Sequence, residues 1–182
     1  MDQSFSKEHL NWIKATLALR HVKQGLVDIS NETAKQLHED ILKKLTIQSS
    51  IAAITKCSDC NPNDVTKVNV KYGSGWKWTI NCSSNVCNAW LEEILRYHKH
   101  SLRASVAWAN CDPSLWSSDP WEVAKVFQGP GSGGQKGAED NDCAGLLVLL
   151  QDCTFFSKLV QGRSLVQEVG LVSFFKSTLR NI

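Results

Sequence analysis

The sequence lacks the features of membrane, secreted and strongly charged proteins. No apolar run approaches the roughly 18 residues needed to span a bilayer, because the longest cluster, Ala144 to Leu150, is far too short. The first residues include an acid and no apolar stretch, which argues against a secretory signal. Net charge is only +2, so no global field favours nucleic acid or an anionic membrane. We therefore expect a cytoplasmic or nuclear protein that has no membrane partner.

Tyrosine and methionine are scarce, at two and one residues, whereas the chain has seven tryptophans and seven cysteines. A reducing compartment keeps thiols reduced, and an odd number of cysteines cannot pair completely within one chain. Five of the tryptophans lie between positions 76 and 116, in and just after a cysteine-rich segment. Since tryptophan buries a large area, we interpret these residues as core. The cysteines need a use other than disulfides.

Four of the cysteines have the spacing of a metal site. Cys57 and Cys60 form a C-x-x-C pair, which lets two thiolates bind one ion from a tight turn. Cys82 and Cys87 form a second pair that runs into a predicted helix, whose N-terminus favours the thiolate form. Four thiolates around one ion leave no open position for water or substrate. The sequence therefore predicts a structural zinc ion held by these four residues.

The segment between the two cysteine pairs predicts a β-hairpin. Apolar and polar residues alternate from Val65 to Tyr72 and again from Trp76 to Asn81, and Gly73-Ser74-Gly75 lies between them. An isolated hairpin is marginally stable in water, so it needs support from another source. Zinc would supply that support and would bring the two cysteine pairs together.

Other interpretations of the cysteines remain open. All four could be reduced core residues, and His98 or Cys111 could replace one of them as a ligand. A redox role for the C-x-x-C pair fits poorly, because no thioredoxin-like βαβ pattern follows. A phosphate loop at residues 129–137 is excluded, since that segment follows a helix and lacks the Gly-Lys-Ser/Thr ending.

Helical patterns account for most of the remaining chain. Leu10, Ile13 and Leu17 indicate a first helix over 6–26, with Gly25 near its end. A second helix is expected over 31–47, with His38 on its exposed side, and the two would form an αα-hairpin. Later helices are expected from residue 87 or 88 to about 98, from Asp119-Pro120 to about Gln128, from residue 140 or 141 to Phe156, and over 163–180.

These elements predict a mainly α fold, a helical bundle with a small zinc-supported β-hairpin inserted after the first two helices. Residues 1–118 would hold the helical hairpin and the region rich in cysteine and tryptophan. Residues 119–182 would form a second helical region with a flexible loop at 129–140, where glycine is frequent.

Several strings resemble an uncharacterised animal family whose vertebrate member is named for an open reading frame on the X chromosome. The main ones are Val86-Cys87-Asn-Ala-Trp90-Leu-Glu-Glu-Ile-Leu-Arg96-Tyr-His98, Trp108-Ala-Asn110-Cys111 and Asp119-Pro-Trp121-Glu-Val-Ala-Lys125-Val-Phe127. The resemblance covers roughly residues 8 to 169. It implies a HEPN-like helical domain similar to the one in the DAZ-interacting zinc-finger ubiquitin ligase, so residues 119–182 would be a partial HEPN-like region.

The same resemblance bears on activity. HEPN domains are helical bundles, often dimeric, and the active ones are metal-independent ribonucleases with an Arg-x4-6-His motif. This sequence departs from the motif, because after Val169 it runs to Arg180-Asn181-Ile182 and no histidine follows His100. We therefore expect no enzymatic activity. The resemblance leaves a homodimer as one expected assembly.

The expected function is that of a non-enzymatic interaction module that binds protein or RNA. The alternative is a shortened form of a HEPN-type RNA-binding or ribonuclease protein. An RNA-binding surface would have to use the one local basic cluster, which consists of Lys43, Lys44, Arg96, Lys99, His100 and Arg103. The simpler interpretation is that these side chains are an ordinary solvated part of the surface.

Overall fold

The computed structural model describes residues 6–48, 57, 60, 65–69, 76–99 and 106–156. The helices are α1 (Lys7–Gln48), α2 (Asn85–Tyr97), α3 (Pro120–Ala124) and α4 (Cys143–Asp152). The strands are β1 (Val65–Asn69) and β2 (Trp76–Ile80). Short 3-10 turns occupy Trp108–Asn110, Pro113–Leu115, Lys125–Phe127, Ser132–Gly134 and Ala138–Asp140. The part of the chain that the structure describes is mainly helical, as the sequence predicts.

Helix α1 is one continuous helix of 42 residues, so the predicted αα-hairpin is wrong. Gly25 lies inside the helix with nothing within 4 Å of the position that a Cβ would take. A glycine in a helix interior costs only about 1 kcal/mol relative to alanine, which neighbouring turns can offset. The helix begins where expected, because the Ser6 hydroxyl accepts a hydrogen bond from the His9 amide at 3.3 Å. At about 1.5 Å per residue, α1 is about 63 Å long.

The two halves of α1 differ in burial. The C-terminal half buries Val27, Ala34, Leu37 and Ile41, along with Leu45, against the rest of the protein. The N-terminal half is exposed along almost its whole length from Lys7 to Val22. Leu10 and Leu17, two of the apolar residues whose spacing predicted this helix, are therefore exposed to solvent.

The core is built around three buried tryptophans, Trp90, Trp108 and Trp116. The rings of Trp90 and Trp116 have centroids 6.4 Å apart, and those of Trp108 and Trp116 are 6.2 Å apart. His38 is buried among them, which corrects its expected exposed position. Its ring stacks on Trp90 at 5.7 Å, and its Nε2 lies 2.7 Å from the Trp116 carbonyl oxygen. The aromatic contacts thus join α1, α2 and the segment before α3.

Helix α1 packs against α2, α3 and α4, and a single hydrophobic core includes residues from all four helices. That core contains Leu37 and Trp90 from before position 118, and Val123 and Leu146 from after it. The core of the described residues therefore draws on both sides of position 118. No helix of the described ranges combines the length and the apolar character that crossing a bilayer requires.

Local chemistry fixes where α3 and α4 begin. The Asp119 carboxylate accepts a hydrogen bond from the Trp121 amide at 2.8 Å, with Pro120 in the first turn, as predicted. The N-cap of α4 is Asp142, whose carboxylate accepts from the Gly145 amide at 2.7 Å. Asn141, one of the two predicted caps, is buried instead. Its side-chain oxygen accepts from Gln128 at 2.6 Å.

Strands β1 and β2 form an antiparallel pair in the register Val65 to Ile80 and Asn69 to Trp76. Both strands contact the 3-10 turn Trp108–Asn110, so the pair lies beside the core. The predicted hairpin turn at 73–75 and the predicted helix over 163–180 lie outside the described residues. In the loop at 129–140, Asn110 donates to the Gly129 carbonyl at 2.8 Å and accepts from the Gly131 amide at 3.2 Å.

Candidate metal centre

The four predicted cysteines lie together in space. The sulfur atoms of Cys57, Cys60, Cys82 and Cys87 are all within 4.8 Å of one another. Among the described residues, these four side chains form a group of His, Cys, Asp or Glu ligands that could hold a metal ion. Cys57 and Cys87 are buried, while Cys60 and Cys82 are half-buried. The structure therefore joins two pairs of cysteines that are separated by the β1–β2 segment in the sequence.

The spacing of the sulfurs fits a tetrahedral ion better than a disulfide. The Sγ atoms of Cys57 and Cys82 are 3.8 Å apart. A disulfide would require about 2.05 Å, and none of the seven cysteines forms one. Four sulfurs at about 2.3 Å from a central zinc ion, at tetrahedral angles, would be about 3.8 Å from each other. The donor set, four thiols in a compact and mostly buried group, is therefore compatible with a metal site.

Secondary structure holds the second pair in place. Cys82 follows the end of β2 at Ile80 by two residues. Cys87 lies in the first turn of α2, whose N-cap Ser84 accepts a hydrogen bond from the Val86 amide at 3.3 Å. The α2 N-terminus directs partial positive charge towards this thiol, which favours a thiolate when an ion is bound. The prediction that Cys87 enters a helix at its start is confirmed.

Two of the four thiols, Cys60 and Cys87, have a pKa above the ordinary value for cysteine. Burial raises the pKa of Cys60 to about 12. Burial also raises the pKa of Cys87, and its hydrogen bonds to Cys60 and Cys57 raise it further. Since a metal binds the thiolate, ion binding at this site must release protons, and its affinity must increase with pH.

The two reserve ligands lie elsewhere. Cys111 is buried in the core, where its thiol donates to the Trp108 carbonyl oxygen at 3.3 Å. His98 is also buried, and its ring stacks on Phe127 with centroids 5.3 Å apart. Neither belongs to the thiol group. Burial raises the pKa of the Cys111 thiol, so it is a neutral core residue.

The predicted basic cluster is largely paired with acids in the part that the structure describes. Arg96 lies 3.2 Å from Glu93, and Lys99 lies 3.7 Å from Asp152. Lys44 lies 3.0 Å from Asp40. His100 and Arg103 lie outside the described residues. The structure thus gives three of the predicted RNA-facing cations an acidic neighbour within the chain.

One polar group that the sequence did not suggest links α1 to α2. The Tyr97 hydroxyl donates to Asp40, and Lys44 donates to the Tyr97 hydroxyl. Burial raises the pKa of Tyr97, and the hydrogen bond from Lys44 to Tyr97 raises the pKa of Lys44. The only sequence signal for this group is the four-residue spacing of Asp40 and Lys44 on one helix. We assign it to the packing of α2 on α1.

A second buried polar group is also structural. Glu122 and Lys125 form a buried ion pair, and the second Glu122 oxygen accepts from the Asp112 amide at 2.7 Å. The pair ties α3 to the turn that precedes it. Breaking such a pair by removing one partner leaves an uncompensated buried charge, which is strongly destabilising.

Comparisons with known proteins agree with the resemblance to the X-chromosome family. The domain of unknown function DUF4559 matches residues 5–171. The chain is 33% identical over 165 residues to the mouse (Mus musculus) protein described as "Uncharacterized protein CXorf38 homolog". The match covers 89% of this chain and 45% of the mouse protein, so the chain spans about half the length of that relative. No solved structure matches. The chain therefore belongs to the DUF4559 family.

Proposed function

We propose that this chain is a non-enzymatic, intracellular interaction module whose β1–β2 segment is held to the helical core by one structural zinc ion. The observation that carries the proposal is the convergence of four cysteine sulfurs within 4.8 Å of one another. Cys57 and Cys60 would hold the chain before β1, and Cys82 and Cys87 would hold the chain after β2. The ion would then fix both ends of a strand pair that is too short to be stable alone.

The ligand chemistry favours a structural role over a catalytic one. Catalytic zinc keeps one coordination position open for water or substrate, and it is usually held by three protein ligands. Four thiolates would fill a tetrahedral shell completely. The partial burial of the four cysteines also favours a closed site. We therefore propose that the metal organises the surface of the protein and does not act on a substrate.

The partner proposed for the module is a protein. RNA affinity depends on cations that are free to neutralise phosphates. Arg96, Lys99 and Lys44 each have an acidic neighbour, which favours a protein partner over RNA. The HEPN-like alternative, in which this chain is a shortened RNA-binding or ribonuclease protein, stays a rival proposal.

The zinc proposal is tested by metal analysis of the full chain purified without chelator. We expect one equivalent of zinc in the wild type. Cys57→Ser and Cys82→Ser should abolish stoichiometric binding, since each removes a ligand from a tetrahedral set. Cys143→Ser is the matched control, because Cys143 is half-buried but lies outside the thiol group. A folded wild-type protein that contains no metal would refute the proposal.

The choice between protein and RNA is tested by titrating single-stranded RNA into the zinc-loaded chain at increasing salt. We expect no saturable binding. Tight binding whose affinity falls steeply with salt, together with its loss in a Lys43→Glu/Arg96→Glu variant, would favour the RNA alternative. Cleavage of the RNA by the same sample would contradict the non-enzymatic proposal.

A further inference from the structure

The outward side of α1 carries a regular apolar stripe that is exposed in the described structure except at Leu26, which is half-buried and packs against the core. We call this the outer stripe: it consists of Trp12, Ala15, Leu19, Val22, Leu26 and Ile29. Its successive members are three or four residues apart, the alternation that places a and d positions along one side of a coiled-coil helix. Trp12 is 69% exposed, Leu19 41% and Ile29 45%. The stripe extends over 18 positions, or about 26 Å of helix.

The outer stripe is not a continuation of the face that α1 buries in its own core. The buried face, here called the inner stripe, consists of Val27, Ser30, Ala34, Leu37 and Ile41. It has the same three-and-four spacing but is displaced by one residue, which corresponds to about 100° around the helix.

Extending the inner stripe towards the N-terminus leads to polar residues. The positions that would continue it are Lys23, Arg20 and Thr16. Lys23 donates to the Glu139 carbonyl oxygen at 3.1 Å at the edge of the core, and Arg20 is exposed. In the part of the chain that the structure describes, α1 therefore presents polar side chains to the edge of the core beyond this point, and its apolar side lies about 100° around the helix from them. The outer stripe has to be explained by a different partner.

The residues beside the outer stripe indicate what kind of partner fits. The flanking positions on one side are Asn11, Ala18 and Gly25, and those on the other are Thr16, Lys23 and Ser30. Lys23 is the one charged residue among the six, and it already makes the contact with Glu139. Coiled coils that choose a different chain usually do so through charges at these positions. A nearly neutral flank lacks that selection and lacks the like-charge repulsion that would keep two identical helices apart.

Apart from Lys23, the basic residues between Trp12 and Ile29 lie away from the outer stripe. Lys14, Arg20 and His21 each lie about 110–130° around the helix from the centre of the outer stripe. Two copies that met along their outer stripes would therefore keep these cations in solvent. Small residues at Ala15, Ala18 and Gly25 would also let two helices approach closely.

We infer that the outer stripe is a docking surface for a second copy of this chain, which pairs with it through the same residues across a twofold axis. This inference gives the interaction module proposed above a surface and a partner, and the observations that carry it do not involve the cysteines. Isologous pairing suits the stripe, because an apolar row with neutral flanks is complementary to itself. The long helix is already nucleated by its buried half, so pairing does not have to fold it.

The test is the mass of the zinc-loaded full chain in solution, measured by light scattering and sedimentation over a range of concentrations. We expect the wild type to have twice the monomer mass of 20.3 kDa. Leu19→Glu would place a charge in the centre of the outer stripe on both copies, and it should weaken the dimer by at least about tenfold. Circular dichroism should show that the variant keeps the helix content and zinc content of the wild type.

Leu17→Glu is the matched control. Leu17 is two residues away, is 51% exposed, and lies on the opposite side of the helix from Leu19. It should leave the dimer unchanged. A wild-type chain that is monomeric at all concentrations would overturn the inference. The outer stripe would then have another occupant, either residues 157–182 of the same chain or a different protein. A dimer that tolerates Leu19→Glu as well as Leu17→Glu would also overturn it.

The result can be separated from that of the zinc proposal. A monomer that contains one zinc would refute the docking surface and leave the metal site standing. A dimer that contains no zinc and dissociates with Leu19→Glu would support the docking surface and refute the zinc proposal.

Discussion

The thiol group and the tryptophan core lie side by side in this protein, but they hold the chain together by different physical means. Around Trp90, Trp108 and Trp116, large side chains are removed from water and pack against aliphatic residues of four helices. Burial of that kind needs no ligand. Around the four cysteines, the adjoining elements are two strands of five residues each and the first turn of α2.

The cysteines of the tryptophan core differ from those of the thiol group in the same way. Cys111 and Cys153 are core residues that fill space as neutral thiols. The four clustered sulfurs face one another, an arrangement that gains little from packing but suits a shared cation. The comparison suggests that one region is stable by itself and that the other depends on metal.

The largest effect is expected from removing the metal. Chelation should remove amide protection from β2 and from the first turn of α2, while α4 should keep its protection. Structural zinc contributes on the order of 10 kcal/mol to small zinc-dependent folds, so exchange near Cys82 and Cys87 should accelerate by several orders of magnitude. Hydrogen exchange followed by mass spectrometry measures both regions in one sample. Equal loss of protection in α4 would show that the two regions are not separable.

Truncating the core should cost less but should act at saturating zinc. Trp116 is buried, and its ring contacts Trp90 and Trp108. Trp116→Ala should lower the free energy of unfolding by about 3–5 kcal/mol through lost burial and a cavity. Urea unfolding followed by circular dichroism gives this value. Zinc stoichiometry should remain at one, and loss of the metal in this variant would contradict the proposed independence.

High pH should expose the difference between core and clustered cysteines. Burial raises the pKa of Cys153 to about 11, above its value in the unfolded chain. The stability that this neutral thiol contributes is therefore complete below the unfolded pKa and is lost as the pH rises through the folded one. Between pH 8.5 and 10 we expect the wild type to lose roughly 1–2 kcal/mol more than Cys153→Ala does. If the free energy of unfolding depended on pH in the same way for both proteins, ionisation of the Cys153 thiol would not be the cause of the loss.

The smallest effect is expected at a helix start. Asp119 caps α3 through the Trp121 amide, a contact that involves neither zinc nor the tryptophan rings. Asp119→Ala should cost about 1 kcal/mol, and Asp119→Asn should recover most of it. Thermal unfolding of the three zinc-loaded proteins measures the series. A loss above that of Trp116→Ala would mean that the cap has a role beyond the first turn of α3.

Features that depend on neighbouring residues in the chain could be predicted from the sequence. The Asp119-Pro120 start of α3, the alternation in β1 and β2, and the position of Cys87 at the beginning of α2 all follow from local chemistry. The grouping of the four cysteines was also indicated, because two pairs flanked a segment that reverses direction. The spacing of the cysteines along the sequence did not give the distances between their sulfur atoms. It also did not exclude Cys111 and His98 as metal ligands.

Features that depend on distant contacts could not be predicted in this way. Gly25 suggested a helix end, but the buried half of α1 keeps the helix continuous through it. His38 was placed on the exposed side because imidazole is polar, yet its partner Trp116 lies 78 residues further along the chain. The apolar residues of the N-terminal half of α1 predicted one arm of an αα-hairpin, yet among the described residues that half extends away from the core and most of its side chains are exposed.

The central claim is that one zinc ion joins the two cysteine pairs, and X-ray absorption at the zinc edge of the full chain tests it most directly. Our account predicts a first shell of four sulfurs at about 2.3 Å, with no nitrogen or oxygen neighbour. Cys143→Ser should give the same spectrum. A shell that contains nitrogen or oxygen would contradict a site made of Cys57, Cys60, Cys82 and Cys87, and a stably folded chain without bound zinc would contradict the claim as a whole.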